Sequence, residues 1–273
     1  MKKKALVAIF ISLLTANVQA DTVGLYLGGQ IWQSEAIGIF GEKNSLIDFN
    51  LKKEQQINYF IAVEHPFPLL PNARISSTTL DTTGKTTLTK EFSFGDETFL
   101  IGDDVNANFN VSYVDYTLYY ELFDNGLFSF DLGLIARNFN GDVTVTGPTK
   151  TSNDTCNDPD PSPDSPCTEE GDFTTPTGKI KTNEIEPMLY IATNISLAFT
   201  GLSAFAQGDF SLIDDHSLYD YQVGLSYELV DNIMGDFNLT LGYRVVKMEF
   251  EDLDNLYTDL EFKGAFVGVI AHF

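Results

Sequence analysis

The C-terminal segment, residues 258–273, constrains the fold more than any other part of the chain. From Ala265 onward its odd positions carry Ala, Val, Val, Ala and finally Phe273. Such alternation is typical of a β-strand, whose successive side chains point to opposite faces. A strand that ends the chain either pairs on both sides or leaves an unpaired edge, which lipid does not tolerate. We therefore expect this strand to close a β-barrel; a buried strand of a soluble β-sandwich is the alternative.

This ending is similar to the C-terminal signal of bacterial outer-membrane β-barrels. In that signal the terminal aromatic residue and every second residue before it face lipid. Phe273 is then the assembly signal, and the barrel-assembly machinery is an expected partner. Ala271 departs from the pattern, because a larger residue usually occupies that position.

The N-terminus has the three parts of a secretory signal peptide. Residues 2–4 are lysines, residues 5–16 are apolar but too few to span a bilayer as a helix, and Val18-Gln19-Ala20 offers small residues to a signal peptidase. We predict a signal peptide at residues 1–20 and a mature barrel domain at residues 21–273. No later segment has the roughly eighteen continuous apolar residues that a transmembrane helix requires, so a membrane location would require a barrel.

The composition restricts the partners. The formal net charge is −23, so we expect no binding to nucleic acid. The same acidity suits a cell surface on which divalent cations bridge acidic groups, and these cations are candidate partners of the outer loops. The chain has 22 Phe and 12 Tyr with a mean hydropathy of −0.05, which is expected when apolar residues alternate along strands.

Four segments share one plan: an alternating run, a short break with hairpin-turn residues, and a second alternating run. They cover residues 58–78, 114–139, 187–210 and 219–245. The longer and more polar connections cover residues 34–55, 80–108 and 141–182. Short turns that alternate with long loops are the layout of an outer-membrane barrel. With an opening and a closing strand, the prediction is an all-β, single up-and-down antiparallel transmembrane barrel of ten strands, with twelve as the alternative and both termini in the periplasm.

Alternation within these segments separates an apolar face from a polar one. In residues 219–229, for example, Tyr, Val and Leu alternate with Asp, Gln, Gly, Ser and Glu. The signal peptide, the terminal aromatic residue and the tyrosines near strand ends favour lipid on the apolar face. A periplasmic lipid-carrying barrel is the structural alternative.

With the polar face inside, the lumen collects charged side chains. A ten-stranded lumen is narrow enough for side chains to fill, and unpaired charges there are costly, so we expect its three arginines to pair with carboxylates in a structural network. The alternative is a thin aqueous path whose acidic excess favours cations. The predicted lumen residues are Glu64, Arg74, Asp115, Glu121, Asp131, Arg137, Glu186, Asp209, Asp220, Glu228 and Arg244.

The long loop at residues 141–182 combines both cysteines with many acidic residues. Cys156 and Cys167 are close in sequence in an exported protein, which predicts a local disulfide that stabilises the loop by about 2–3 kcal/mol. The loop lacks the ordered glycine and final bidentate Glu of an EF-hand, and a solvated, proline-stiffened loop is the alternative to calcium binding. Candidate Ca²⁺ ligands are Asp158, Asp160 and Asp164.

No residue pattern predicts catalysis. Asp214-Asp215-His216 lies in a predicted outer loop, and a carboxylate beside a His can polarise water. The ten-stranded omptin proteases carry acids and a His at their outer rim, but here a second acidic pair such as Asp103-Asp104 would have to meet His216. No Ser or Cys has the surroundings of an activated nucleophile, and Gly28-Gly29 lies in a strand, where glycine lets a neighbour pack or the barrel bend. We expect no enzyme and no cofactor, with an omptin-like rim hydrolase as the least favoured alternative.

Five parts of the chain carry distinctive motifs: residues 25–29 with Trp32, residues 64–72, residues 118–121 followed by Asp124-Asn125, residues 242–244 and residues 268–273. They resemble the proteobacterial Gly-Gly outer-membrane β-barrel family. The similarity covers nearly the whole mature chain, whereas the acidic loop with the cysteines looks like an insertion. The family implies an outer-membrane barrel without an established biochemical role and supplies no catalytic residues.

These observations predict an integral protein of the cell outer membrane with a structural or surface role and a plugged, charged lumen. Such a protein contacts outer-membrane lipid and lipopolysaccharide. One alternative is a narrow, cation-preferring pore for small solutes. Another is a surface adhesin or receptor that acts through residues 141–182.

Overall fold

The computed structural model describes residues 23–43, 45–152, 172–213, 217–232, 235–253 and 255–273. Within these ranges no helix is long and apolar enough to cross a membrane. The described chain forms strands joined by turns and loops. In chain order the strands are β1 (Gly24–Glu42), β2 (Ser45–Ile47), β3 (Lys53–Glu64), β4 (Asn72–Thr87), β5 (Phe92–Phe94), β6 (Glu97–Phe99), β7 (Asp104–Asp124), β8 (Phe128–Thr146), β9 (Lys150–Ser152), β10 (Asp172–Thr174), β11 (Thr177–Thr182), β12 (Ile185–Leu197), β13 (Leu202–Ser211), β14 (Ser217–Asn232), β15 (Gly235–Leu253) and β16 (Leu256–His272).

Ten of these strands form a closed antiparallel barrel, which confirms the prediction of ten strands. Around the barrel the order is β1, β3, β4, β7, β8, β12, β13, β14, β15 and β16, and β16 pairs back with β1. The remaining strands are accessory. β2 adds to β1, and β11 pairs with the part of β8 that β12 does not reach. The pairs β5–β6 and β9–β10 form separate two-stranded sheets.

The closing strand pairs on both sides, as the sequence predicts. His272 of β16 is in register with Asp236 of β15 and with Tyr26 of β1. Just beyond this ladder, Leu25 and Phe273 exchange backbone hydrogen bonds of 3.0 and 2.9 Å. The last residue therefore takes part in the closure of the barrel.

The two ends of the barrel differ. Tight turns after β3, β7, β12 and β14 lie at the same end as the first described residue and Phe273, and we call this the turn end. The opposite end, with the longer connections, is the loop end. In the turn after β7, the Asn125 side-chain oxygen accepts from the N–H groups of Leu127 and Phe128 at 3.0 and 2.8 Å, and Gly126 has a φ of 79°. These are the features for which Asn and Gly are favoured in turns.

Several strands extend further toward the loop end than the sequence analysis expects. β1 continues to Glu42 and β4 to Thr87, well into the predicted connections. The predicted loop at residues 141–182 likewise begins with the end of β8 and finishes with β11. β7 has 21 residues, and β1, β8 and β15 have 19 each. These lengths exceed the roughly 9–11 residues with which a strand crosses a membrane.

The inside–outside pattern of β7 reverses partway along the strand. In its loop-end half, the exposed outward residues are Asp104, Asn106, Asn108 and Asn110, and the buried inward residues are Val105, Ala107, Phe109 and Val111. In its turn-end half, the exposed outward residues are Tyr116, Leu118 and Tyr120, and the buried inward residues are Asp115, Thr117 and Tyr119. One strand therefore has an apolar interior at one end and an apolar exterior at the other.

β15 shows the same reversal. Leu239 and Leu241 point outward near the turn end and are exposed, whereas Glu249 is the exposed outward residue near the loop end, where Met248 and Phe250 are buried inside. We call the level of this reversal the switch level; it comprises residues 113–115 of β7 and residues 244–246 of β15. On β7, the polar outward residues beyond this level lie partly within the connection predicted at residues 80–108.

Candidate functional site: the barrel lumen

The loop-end half of the lumen is filled by apolar side chains. The β5–β6 hairpin folds into this end and buries Phe92, Phe94 and Phe99 completely. Phe40 stacks on Phe49 with ring centroids 4.6 Å apart. Because burial of such surface is favourable and leaves little space for water, this group closes the loop end. We call it the apolar plug; its principal members are Phe40, Phe49, Leu80, Phe92, Phe94, Phe99, Phe109, Phe139 and Phe262.

Below the plug, Arg137 of β8 joins three carboxylates. Its Nε donates to Oδ1 of Asp115 at 2.7 Å, and its Nη2 donates to Oδ2 of the same carboxylate at 2.9 Å. Nη2 also donates to Oδ2 of Asp209 and of Asp220, each at 3.1 Å. The guanidinium carbon lies 3.9 Å from the ring centroid of Tyr113. One arginine thus connects acidic residues of β7, β13 and β14.

Arg244 of β15 forms a second fork at the same level. Its Nε and Nη2 donate to Oδ1 and Oδ2 of Asp220 at 2.9 and 2.7 Å. The Tyr113 hydroxyl donates to Oδ2 of Asp220 at 2.6 Å and accepts from Nη2 of Arg244 at 3.1 Å. This bidentate geometry is the strong form of an arginine–carboxylate pair. We call the whole group the lumen network; it consists of Arg137, Arg244, Asp115, Asp209, Asp220 and Tyr113.

The lumen network is a buried ion cluster that crosses the barrel interior. Its charged side chains are at most 6% exposed. Two guanidinium groups face three carboxylates, and within the described residues Nη1 of Arg137 and Oδ1 of Asp209 are buried without a hydrogen-bond partner. Removing one partner of such a cluster leaves an uncompensated buried charge. The network therefore crosses the lumen at the switch level and connects β7, β8, β13, β14 and β15.

Below the network, a cavity of about 550 Å³ occupies the turn-end half of the lumen. Its lining includes Gly126, Phe199 and Gly201 of the turns, so it opens at the turn end. Amide and hydroxyl side chains make up much of the wall, together with aromatic rings and charged groups. The predicted lumen residues in this wall are Glu64, Arg74, Asp131 and Glu228.

The four charged cavity residues do not join the lumen network. Glu64 accepts a hydrogen bond from the Tyr119 hydroxyl at 2.7 Å. Arg74 places its guanidinium carbon 3.7 Å from the ring centroid of Phe60. The expectation that all three arginines pair with carboxylates therefore holds for Arg137 and Arg244 only, because Arg74 lies nearer the turn end, opposite Thr117 of β7.

The other two predicted lumen residues are in register with members of these groups, Glu186 with Arg137 and Glu121 with Asp131. Glu186 is buried on β12 and accepts a hydrogen bond from the Ser211 hydroxyl. Glu121 is exposed near the turn end, next to an irregularity in the β7–β8 ladder. Neither residue lines the turn-end cavity.

Pairs of Phe and Gly shape the cavity wall. Gly28 is in register with Phe60 and Gly224 with Phe205. A β-carbon at either glycine would overlap the ring on the neighbouring strand. The interpretation that Gly28 lets a neighbour pack is thereby confirmed, and the rings lie flat against the wall because the glycines have no side chain.

Sequence reasoning missed the aromatic residues that complete the polar interior. Tyr113 bridges Asp220 and Arg244, Tyr119 binds Glu64, and the ring of Trp32 lies 5.4 Å from the Arg244 guanidinium. A signal was present, since both tyrosines alternate in phase with Asp115 and therefore share its inward face.

Several predictions concern residues outside the described ranges. They are the signal peptide, the disulfide between Cys156 and Cys167, the calcium ligands Asp158, Asp160 and Asp164, and the Asp214-Asp215-His216 motif. Within the residues that the structure does describe, no group of three His, Cys, Asp or Glu side chains could hold a metal ion. The disulfide, the calcium site and the rim hydrolase stay predictions.

No family model matches the chain, and no curated protein matches it. Among solved structures, the outer membrane protease OmpT from Escherichia coli has a TM-score of 0.46 and 10% identity, covering 94% of this chain and 99% of that chain. The transport unit of the autotransporter AIDA-I from Escherichia coli has values of 0.38 and 8%, with coverages of 98% and 95%. Ail, the attachment invasion locus protein of Yersinia pestis, has values of 0.30 and 11%, with coverages of 93% and 100%. At these values the likeness carries no functional conclusion, and membership of the Gly-Gly family stays a prediction.

Proposed function

We propose that this chain is an integral outer-membrane β-barrel protein with a sealed lumen and a structural or surface role. The observation that carries the proposal is the reversal of the inside–outside pattern at the switch level. A barrel in water buries its apolar residues inside, whereas a barrel in lipid exposes them outside. The long strands follow the first rule in their loop-end halves and the second in their turn-end halves.

The same reversal supports one orientation. The turn-end half, with its apolar exterior, suits the bilayer, and the loop-end half suits water. Outer-membrane barrels have short turns in the periplasm and longer connections outside the cell. This orientation places the two termini in the periplasm, the outward leucines against acyl chains, and the loop end near lipopolysaccharide.

Two successive barriers support a sealed lumen over a cation-preferring pore. The apolar plug fills the loop-end half, and the lumen network closes the switch level beneath it. An ion that crosses would have to pass through both a dehydrated aromatic cluster and a set of carboxylates already paired with arginine. Among the described residues, the acidic cavity below these barriers opens at the turn end.

Conductance measurements test the sealed lumen. In planar bilayers, the refolded full-length chain is expected to give flat current traces at all voltages, because both barriers are intact. Asp220→Asn is expected to leave the traces flat. Stepwise, cation-selective currents in the unaltered chain that become smaller in Asp220→Asn would contradict the proposal and favour the pore.

A further inference from the structure

We propose that the turn-end cavity binds a linear organic diamine that carries a primary ammonium group at each end. The cavity lies below the lumen network and does not take part in the seal. Its acidic side chains form no ion pairs among the described residues, and its lining includes turn residues of two hairpins. Its volume of about 550 Å³ is that of a small-molecule site.

The charges of the cavity favour a cation. Glu64, Asp131 and Glu228 supply three carboxylates, against the single guanidinium of Arg74. Among the described residues, none of these four forms an ion pair within 4.0 Å. Arg74 is instead occupied with the face of the Phe60 ring, 3.7 Å away. A carboxylate held in a partly enclosed space gains from a cationic partner that supplies charge-assisted hydrogen bonds.

The carboxylates lie on opposite walls. Glu228 is on β14, which in the ring of ten strands lies four positions from β3, the strand of Glu64, and three positions from β8, the strand of Asp131. Glu64 on β3 and Asp131 on β8 flank the opposite pair of strands, β4 and β7. A ligand that pairs with carboxylates on both sides of the cavity therefore needs a positive charge at each end.

The uncharged groups of the wall suit the same ligand. Oε1 of Gln222 is buried and has no donor among the described residues, because the amide nitrogen of Gln222 is turned to Gln207 at 3.3 Å. An ammonium group can donate to this oxygen. The rings of Tyr119 and Tyr190, with centroids 5.5 Å apart, offer faces to the methylene chain and to the ammonium groups.

Isothermal titration calorimetry on the refolded full-length chain in detergent micelles tests the site. We expect 1,4-diaminobutane to bind, 1-aminobutane to bind at least about tenfold more weakly, and 1,4-butanediol to give no heat. Glu228→Gln and Asp131→Asn should each weaken diamine binding about tenfold or more, since each removes a hydrogen bond to a charged group. Glu249→Gln, an equal change of charge on the exposed loop-end exterior, is the matched control and should bind as the unaltered chain does.

Circular dichroism shows whether each variant keeps its β-structure, so a loss of binding in a folded variant is interpretable. The inference is overturned if the diamine gives no heat at millimolar concentration, or if Glu228→Gln and Asp131→Asn both bind with unchanged affinity. Equal binding of the diol would also overturn it and indicate a neutral polyol site. The measurement needs no membrane, so its outcome is separate from that of the conductance test.

Discussion

At the scale of single residues, the guanidinium group of Arg137 has no access to solvent and is balanced by carboxylates from three other strands. Its partners are 22, 72 and 83 residues away in sequence. Such a contact contributes little to local structure but much to the closed form of the barrel, because it is made only when all the strands are in place.

Arg137→Met should lower the free energy of unfolding by about 3–5 kcal/mol, because it leaves buried carboxylates without their partner. The matched control is Lys53→Met, which removes an ion pair with Glu35 whose side chains are 64% and 44% exposed and should cost about 0–1 kcal/mol. Urea titrations in detergent, followed by circular dichroism, measure both values. Equal effects for the two variants would mean that water reaches Arg137 and that the lumen is not sealed at this level.

The sequence predicts which charged residues face inward but not which residues they pair with. Alternation alone placed Asp115, Arg137 and Arg244 on an inward face. It could not choose their partners, since a carboxylate such as Asp131 follows the same alternation and yet lies in the cavity. The choice depends on the height of each residue along the barrel axis, which is set by the stagger of strands that are distant in sequence.

At the scale of elements, the β5–β6 hairpin shows how a polar-looking connection can build a core. The sequence predicts a polar connection over residues 80–108, which contain this hairpin. In the structure it turns inward, with Gly95 N–H donating to Oε1 of Glu42 at 2.7 Å and its three phenylalanines inside the plug. Three phenylalanines separated by one serine and by the four residues 95–98 carry no local indication of the barrel wall that they will contact.

Replacing residues 89–101 by a short Gly-Ser linker should leave the ten barrel strands in place, since Leu88 and Asp103 already form the base of this segment through a 2.9 Å hydrogen bond. The free energy of unfolding should fall by more than the about 3–5 kcal/mol typical of one buried Phe→Ala change. Fluorescence of Trp32, the single tryptophan, reports unfolding in urea.

The matched control for this replacement is the double variant Ser93→Ala/Thr98→Ala, which changes the exposed face of the same hairpin and should alter stability by no more than about 0.5 kcal/mol. Planar-bilayer traces of the shortened chain should stay flat, because the lumen network remains. A shortened chain as stable as the original would show that the hairpin does not belong to the core.

The turn-end halves of the strands are predictable from the sequence, whereas the loop-end halves are only partly so. All four tight turns and the turn-end halves were predicted, because apolar exterior residues alternate there as expected for a barrel in lipid. The sequence prediction places residues 104–108 of β7, which include Asn106 and Asn108, in the polar connection at residues 80–108. Their partners in alternation, Val105 and Ala107, carried the information that these stretches are strands of the opposite polarity.

At the scale of the whole molecule, the reversed pattern predicts which part of the barrel exterior contacts lipid and which part contacts water. Leu241 is 60% exposed on the turn-end exterior, and Leu70 is 58% exposed in the turn between β3 and β4. In lipid vesicles, Leu241→Arg should cost about 2–4 kcal/mol, because the charge enters hydrocarbon. Leu70→Arg, at equal exposure but outside the span, should cost about 0–1 kcal/mol.

Urea-dependent folding into vesicles measures both changes. In a water-soluble barrel, each substitution would change the free energy of unfolding by no more than about 0.5 kcal/mol, as is usual for exposed sites. Equal tolerance of Leu241→Arg and Leu70→Arg would therefore contradict the membrane proposal as a whole, whatever the conductance measurement shows.

In the proposed orientation, the reversal on β7 also sets how far the barrel extends beyond the membrane. If the barrel moved by two residues toward the cell interior, the outward Asn110 and its neighbours would enter the bilayer. If it moved the other way, outward leucines would become exposed to water. The ten residues from Asp104 to Tyr113 then extend about 20–30 Å beyond the lipid, allowing for strand tilt. In the proposed orientation, the paired backbones of β4, β7 and β8 hold the loop end at a fixed height above the outer membrane.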